Sequence, residues 1–351
     1  MPLLARMLAA PLVIDVRPGA ITGLAELLAD RKIASKGRVA IVVGPGQGDG
    51  IAAELGLGTD EVFRVPDGSY DSAVALGTRL RAGAPYEAVA GIGGGKTIDV
   101  TKLAAHIAGI PMVSVATSLA HDGIASPVST LRQESGSGSY GVVPPVAVVV
   151  DLDRVRRAPG ILATAGIGDA VSNLSAVADW ELSAEMTGEP VDGLAVAMAR
   201  SAAQAVLHQP APSTSDEFLT VLAEALILSG MAMAVAGSSR PASGGDHEIM
   251  HAINQFYPDT ASHGELAGIG ALFCALLRDD PTQFAAISSC LERHGLPRHP
   301  REIGLSSEQF AAAVYHAPAT RPDRYTILER LAMSQAEVDE RVEEYGRAIA
   351  G

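Results

Sequence analysis

His247-Glu248-Ile249-Met250-His251 sets two imidazoles four residues apart with a carboxylate beside the first. On a helix that spacing puts both rings on one face, the way zinc peptidases hold their metal with the glutamate as base. The metzincin continuation needs glycine and then a third histidine where this chain has Asn254 and Tyr257, so that version fails. A gluzincin would recruit Glu265. Another route to a metal uses different residues. Tyr257-Pro-Asp-Thr260 breaks the helix that carries His247, so His263 can return to the same point. Asp169, in Gly166-Ile-Gly-Asp-Ala170, would complete a site of two histidines and one carboxylate with open positions for substrate and water, which means catalysis rather than scaffolding. Each residue also has a bland reading: Asp169 as a helix cap, His251 and His263 as surface or capping side chains. Spacing alone leaves both readings open.

A second chemistry is written in glycines. Ala88-Val-Ala-Gly-Ile-Gly-Gly-Gly-Lys-Thr-Ile-Asp99 reads as a buried strand running through Gly93, Gly94 and Gly95 into a helix that starts near Lys96 and Thr97. Backbone N–H groups at such a junction face a phosphate, so a nucleotide is the expected guest and peptide hydrolysis has no use for it. Neither familiar fingerprint fits. A P-loop would need glycine at Ala90, and the Rossmann spacing would need it at Lys96. Gly44-Pro-Gly-Gln-Gly-Asp-Gly50 also follows a strand and has Asp49 where the third dinucleotide glycine belongs. The bland alternative is that these glycines only make tight turns.

These residues must be carried by elements, and the elements change character along the chain. Short apolar runs at Leu12–Val16, Ala40–Val43, Val62–Val65, Ala88–Ile92, Met112–Val115 and Val146–Val150 predict strands, mostly separated by helical patterns, the signature of a parallel α/β sheet. The polar Gly/Ser-rich stretch Ser126–Pro145 reads as a hairpin or loop. Beyond Asp153, helical periodicity covers Ile161–Trp180, Val191–His208, Ser215–Val235, Asp246–Phe256, Leu266–Leu277 and Ser334–Ile349. The expectation is an α/β nucleotide-binding domain over 1–153 and an all-α, metal- and substrate-binding domain over 154–351, sharing a cleft. The net charge of −14 disfavours nucleic acid, so an anionic substrate needs a local positive pocket. Cys274 and Cys290 lie in helical patterns and imply no disulfide framework, and the opening residues are too short an apolar run for a signal peptide or membrane span. A cytoplasmic protein is expected.

Taken together, Gly93–Asp99, Thr117-Ser-Leu-Ala-His-Asp-Gly-Ile-Ala-Ser-Pro127, Gly168-Asp-Ala-Val-Ser-Asn173, Ser239-Arg-Pro-Ala-Ser-Gly-Gly-Asp-His247 and Ser262-His-Gly-Glu265 resemble the dehydroquinate synthase-like, iron-containing alcohol dehydrogenase superfamily, and within it the glycerol-1-phosphate dehydrogenases. The resemblance implies that Asp169, His247 and His263 bind Zn2+ or another divalent ion such as Ni2+ or Fe2+. It implies that Asp122 and His251 touch substrate, and that Gly93, Gly94, Gly95, Lys96, Thr97, Thr117, Ser118, Leu119, Ala120 and Ser126 line NAD or NADP. Leu266 departs from the Gln that such proteins often carry after His-Gly-Glu. The implied reaction is hydride transfer between the nicotinamide and a small phosphorylated or phosphonate alcohol, with dihydroxyacetone phosphate and sn-glycerol 1-phosphate the nearest pair, in a homo-oligomer. His251 and metal-bound water would be the candidates for relaying the proton, and Asp122 would orient a substrate hydroxyl. A sugar-phosphate cyclase of the dehydroquinate synthase kind could use the same ligands with a cofactor that shows no net change.

Overall fold

A computed structural model describes residues 9–34, 37–56, 62–83, 85–133 and 136–350. Six strands form one sheet: β1 (Val13–Arg17), β2 (Arg38–Val43), β3 (Val62–Arg64), β4 (Tyr86–Gly93), β5 (Met112–Ala116) and, after an excursion, β8 (Ala147–Asp151). Their order is β1-β8-β5-β4-β2-β3, and every pairing is parallel. Parallel neighbours require crossovers, and the intervening helices bury both faces of the sheet. That is why the strands read as continuous apolar runs. Ile41, Val43, Ala88, Ala90 and Ile92 enter one core layer, while Ala40, Val42 and Val89 enter another with Leu103 and Met112. The Gly/Ser-rich stretch forms an antiparallel hairpin of β6 (Val128–Gln133) and β7 (Gly136–Gly141). Its Leu131 is buried and Tyr140 stacks on Tyr70 at 4.8 Å, so the segment is packed rather than loose.

Two compact units emerge. The first comprises 1–118, 123–158 and 233–237, the second 119–122, 159–232 and 238–351. The second is helical. The pattern expected over Ile161–Trp180 divides at Ala165 into Gly160–Thr164 and Gly166–Thr187, the latter ending at Gly188 in the left-handed region at φ +78°. Helices Gly193–His208, Asp216–Ala236, Gly245–Phe256, His263–Leu277 and Gln335–Ala350 fall where periodicity puts them, within a few residues. Pro281–Arg293, Ser307–His316 and the short Ile327–Leu331 are helices beyond those the periodicity predicts. Gly160–Thr187 and Asp216–Ala236 are long and apolar enough to cross a membrane, but 71% and 61% of those apolar windows are buried inside the protein.

The helices that carry the candidate ligands meet at backbone distance. A Cβ at Gly168 would lie 2.0 Å from the Gly264 carbonyl oxygen, and one at Gly264 would lie 1.8 Å from that of Ala165. Buried Asp179 locks a third helix in place: it accepts from the Gly245 N–H and the Ile327 N–H, each at 2.8 Å, and pairs with Arg278 at 2.5 Å. Cys274 and Cys290 are both free and buried.

Candidate metal, substrate and cofactor sites

Three helix starts converge in the second unit. Asp169 lies in the first turn of Gly166–Thr187, His247 in that of Gly245–Phe256, and His263 is the first residue of His263–Leu277. Asp169 Oδ1 is 3.6 Å from His247 Nε2 and 3.2 Å from His263 Nε2, and the two ring nitrogens are 3.2 Å apart. One ligand atom from each residue thus falls within 4.8 Å of the others. Side chains on helices, locked by packing, hold such a geometry better than loops would.

The electrostatics suit a cation. Burial works to raise the Asp169 pKa, yet hydrogen bonds from His247 and His263 and their positive charge hold it well below the usual carboxylate range. Burial works to lower the His247 pKa, but the charges and hydrogen bonds of Asp246 and Asp169 push it up to about 9. His247 Nδ1 is bonded to Asp246 Oδ2, which fixes the ring and leaves Nε2 free to ligate. Asp246, which holds the His247 ring, was not singled out from the sequence, although an acid immediately before a candidate ligand histidine was a visible signal. Asp122 joins the cluster through its backbone: its N–H donates to Asp169 Oδ2 at 2.8 Å, and its own Oδ2 accepts from Ser229 Oγ at 2.9 Å. The His121 ring centroid lies 5.3 Å from that of His263, with the planes tilted by 45°.

His251 sits one turn beyond His247, outside the three-ligand cluster. Arg321 Nη2 donates to His251 Nε2 at 2.8 Å. Burial, followed by the Arg321 charge, pushes the His251 pKa well down, so the ring is neutral with its proton on Nδ1. The two glutamates that a peptidase would require are otherwise engaged. Glu265 closes a capping box, its Oε2 accepting from the Ser262 N–H at 2.8 Å and from the Ser262 hydroxyl at 2.7 Å. Glu248 is fully buried and accepts from Thr326 Oγ1 at 3.2 Å.

The glycine loop stands in the first unit. Gly94 precedes helix Gly95–Ala108, and no side chain caps that helix start, so its first N–H groups remain available to a ligand phosphate. Thr97 is buried and wedged against both glycine turns: a Cβ at Gly93 would sit 2.7 Å from Thr97 Oγ1, and one at Gly44 only 1.9 Å from it. Gly46 needs its φ of +98°, a region other residues avoid. Lys96 is exposed, Thr117 and Ser118 are buried, and the Thr117 N–H donates to the Gly93 carbonyl at 3.0 Å. Ser126 Oγ lies 3.5 Å from buried Lys102 Nζ, which pairs with Asp99 at 2.9 Å. Leu119 and Ala120 group with the second unit, where the Leu119 carbonyl accepts from the Gly166 N–H at 3.0 Å.

A parallel α/β unit with an uncapped glycine cradle and a helical unit with an Asp/His/His cluster describe a class, and residues 15–159 match the family model of iron-containing alcohol dehydrogenases. The chain is 36% identical over 316 residues to glycerol-1-phosphate dehydrogenase (NAD(P)+) of Methanospirillum hungatei JF-1, covering 88% of this chain and 86% of that one. It is 37% identical over 275 residues to the enzyme of the same name from Archaeoglobus fulgidus, covering 77% and 78%. The fold matches a crystal structure of glycerol dehydrogenase from Schizosaccharomyces pombe with a TM-score of 0.73 at 18% identity, covering 99% of this chain and 93% of that one. The chain belongs to the glycerol-1-phosphate dehydrogenase family of NAD(P)-dependent oxidoreductases.

Proposed function

We propose that this protein interconverts dihydroxyacetone phosphate and sn-glycerol 1-phosphate, using NAD or NADP and a divalent ion, Zn2+ first and Ni2+ or Fe2+ as alternatives. The convergence of Asp169, His247 and His263 carries the reading, because two imidazoles and a carboxylate whose ligand atoms lie within 4.8 Å of one another suit a Lewis-acid site. The names of the relatives supply glycerol 1-phosphate, and oxidation of its secondary alcohol gives dihydroxyacetone phosphate. Asp169, His247 and His263 would hold the divalent ion, which when bound would supply Lewis-acid polarisation of a substrate carbonyl, while a bound nicotinamide would supply or accept the hydride. The chain's own residues do the rest. Asp246 holds the His247 ring so that Nε2 faces Asp169 and His263. His251, neutral and held by Arg321, is assigned a hydrogen bond from its Nδ1–H to the substrate oxygen, where negative charge develops. Asp122 orients a substrate hydroxyl through its carboxylate, which Ser229 fixes. The Gly93–Thr97 turn and the start of helix Gly95–Ala108 are assigned the cofactor pyrophosphate, with Thr117, Ser118 and Ser126 beside it.

The test is oxidation of NADH or NADPH by the metal-loaded protein with dihydroxyacetone phosphate, alongside metal analysis of Asp169→Ala and His263→Ala. Turnover in the wild type, with metal and activity lost from folded variants, is the expected result. Full metal occupancy and normal turnover in both variants would remove the site assignment. Consumption of a sugar phosphate with no net change in nicotinamide absorbance would favour a cyclase.

A further inference from the structure

A chain with a net charge of −14 must create a local positive site for an anionic substrate, and the second unit contains one. Arg321 and Arg324 are half-buried on the segment between the Ala317–Thr320 turn and helix Ile327–Leu331. Other sheltered arginines here have acids: Arg240 Nε donates to Glu189 at 2.8 Å, and Arg278 pairs with Asp179. Among the described residues, Arg321 and Arg324 have no carboxylate within ion-pair distance. Their partners are neutral. Arg321 donates to His251 Nε2 and, at 3.3 Å, to Ser239 Oγ, while Arg324 donates to Ser239 Oγ at 3.0 Å and to the Ser243 carbonyl.

Each guanidinium has five N–H donors, and these contacts use two on each. Sheltering two cations side by side without a counter-ion is costly, and the pattern calls for an anion from outside. Burial, then Arg321 and Arg240, push the Arg324 pKa down to about 10, a sign of crowded positive charge. Asp246 is already committed to His247. Glu248 accepts from Thr326 Oγ1 at 3.2 Å, and among the described residues it makes no ion pair with either arginine.

We propose that Arg321, Arg324 and Ser239 form the seat of the substrate's phosphate or phosphonate group. The proposal rests on the dehydrogenase reading above and names what selects its substrate. Arg321 touches His251, and His251 stands one helical turn, ~6 Å, from the ligand His247. The seat therefore begins within a three-carbon span of the proposed reacting centre. Two forked guanidiniums match the several oxygens of a phosphate dianion better than the two of a carboxylate.

The experiment compares wild type, Arg324→Met and Arg324→Lys, all metal-loaded. The ratio of kcat/KM for dihydroxyacetone phosphate to that for unphosphorylated dihydroxyacetone should fall on the order of a hundredfold in Arg324→Met, chiefly through KM, with partial recovery in Arg324→Lys. An unchanged ratio overturns the proposal and leaves the arginines a structural role. Inorganic phosphate should inhibit the wild type competitively with dihydroxyacetone phosphate; competition with NADPH instead would overturn the proposal by assigning the anion site to the cofactor. A separate readout does not depend on turnover. Inorganic phosphate should raise the wild-type Tm and leave that of Arg324→Met unmoved, so a protein inactive on every triose phosphate still tests the seat. No phosphate-induced shift in the wild type overturns it.

Discussion

Glycine serves opposite purposes in the two units. In the α/β unit, the atoms a new Cβ would strike at Gly44 and Gly93 belong to one side chain, Thr97. In the helical unit the obstacles are backbone: the Leu119 oxygen 2.3 Å from a Cβ at Gly166, the Gly264 oxygen at Gly168, the Ala165 oxygen at Gly264. The first set shapes turns around a threonine and keeps a helix start open. The second lets two helices approach until the candidate ligands they carry can meet, since Gly168 precedes Asp169 and Gly264 follows His263. A side chain can rotate or be trimmed, whereas a helix backbone moves only with everything packed on it.

The largest effect is therefore expected from Gly264→Ala. Relief requires the helices to separate, at a cost of ~3 kcal/mol or more, the upper end for overpacked cores. Thermal unfolding and metal content should fall together, and a variant as stable and metal-rich as the wild type would erase the distinction between the units. Gly44→Ala should cost less, about 1–3 kcal/mol. Combining it with Thr97→Ala should recover part of the loss, with a coupling of ~0.5–3 kcal/mol in a double-mutant cycle; strict additivity would show that Thr97 is not the obstacle. Gly94→Val sharpens the contrast from the other side. The nearest atom to a Cβ there is Ser118 Oγ, at 3.1 Å. Stability should change little while the KM for NADH or NADPH rises on the order of tenfold, because the branched side chain enters the space assigned to pyrophosphate. An unchanged cofactor KM would move the nucleotide elsewhere.

The α/β half was legible because doubly buried parallel strands announce themselves as apolar runs, from Ala40–Val43 to Val146–Val150. Helices Pro281–Arg293 and Ser307–His316 escaped the periodicity reading, although Asp280 before Pro281 and the Ser306/Gln309 capping box were signals of a helix start. Asp169, His247 and His263 stood out because metal chemistry restricts residue types. Arg321 and Arg324 did not stand out. An arginine is ordinarily a surface residue, and nothing local says that these two lie beside Ser239, with Arg321 against His251 and neither in an ion pair among the described residues. Asp179 was invisible for a similar reason: its three partners, at Gly245, Arg278 and Ile327, are far apart in the chain.

The smallest effect is expected at Glu248, where the HExxH pattern and the structure diverge. A peptidase needs that carboxylate ionised and facing the metal's water. Here burial first, then Glu329 and Asp179, raise its pKa to about 9, and its Oε2 accepts from Thr326. At neutral pH it is a protonated acid, nearly isosteric with glutamine, so Glu248→Gln should keep its metal and stay within about twofold of wild-type turnover, far from the hundredfold typical of a lost acid–base group. Stability gives an independent sign in the metal-free protein. The unfolded carboxyl ionises near its ordinary value of 4.5, while the folded one keeps its proton up to about 9, so between those values the folded state binds more protons. Wild-type stability is then favoured below pH 4.5 and declines as pH climbs through the window, a decline glutamine cannot share. The Tm of Glu248→Gln relative to wild type should therefore rise from pH 5 to pH 8. A gap that stays flat, or that closes, would mean Glu248 is already ionised in the fold, and lost turnover in the same variant would return the carboxylate to the chemistry.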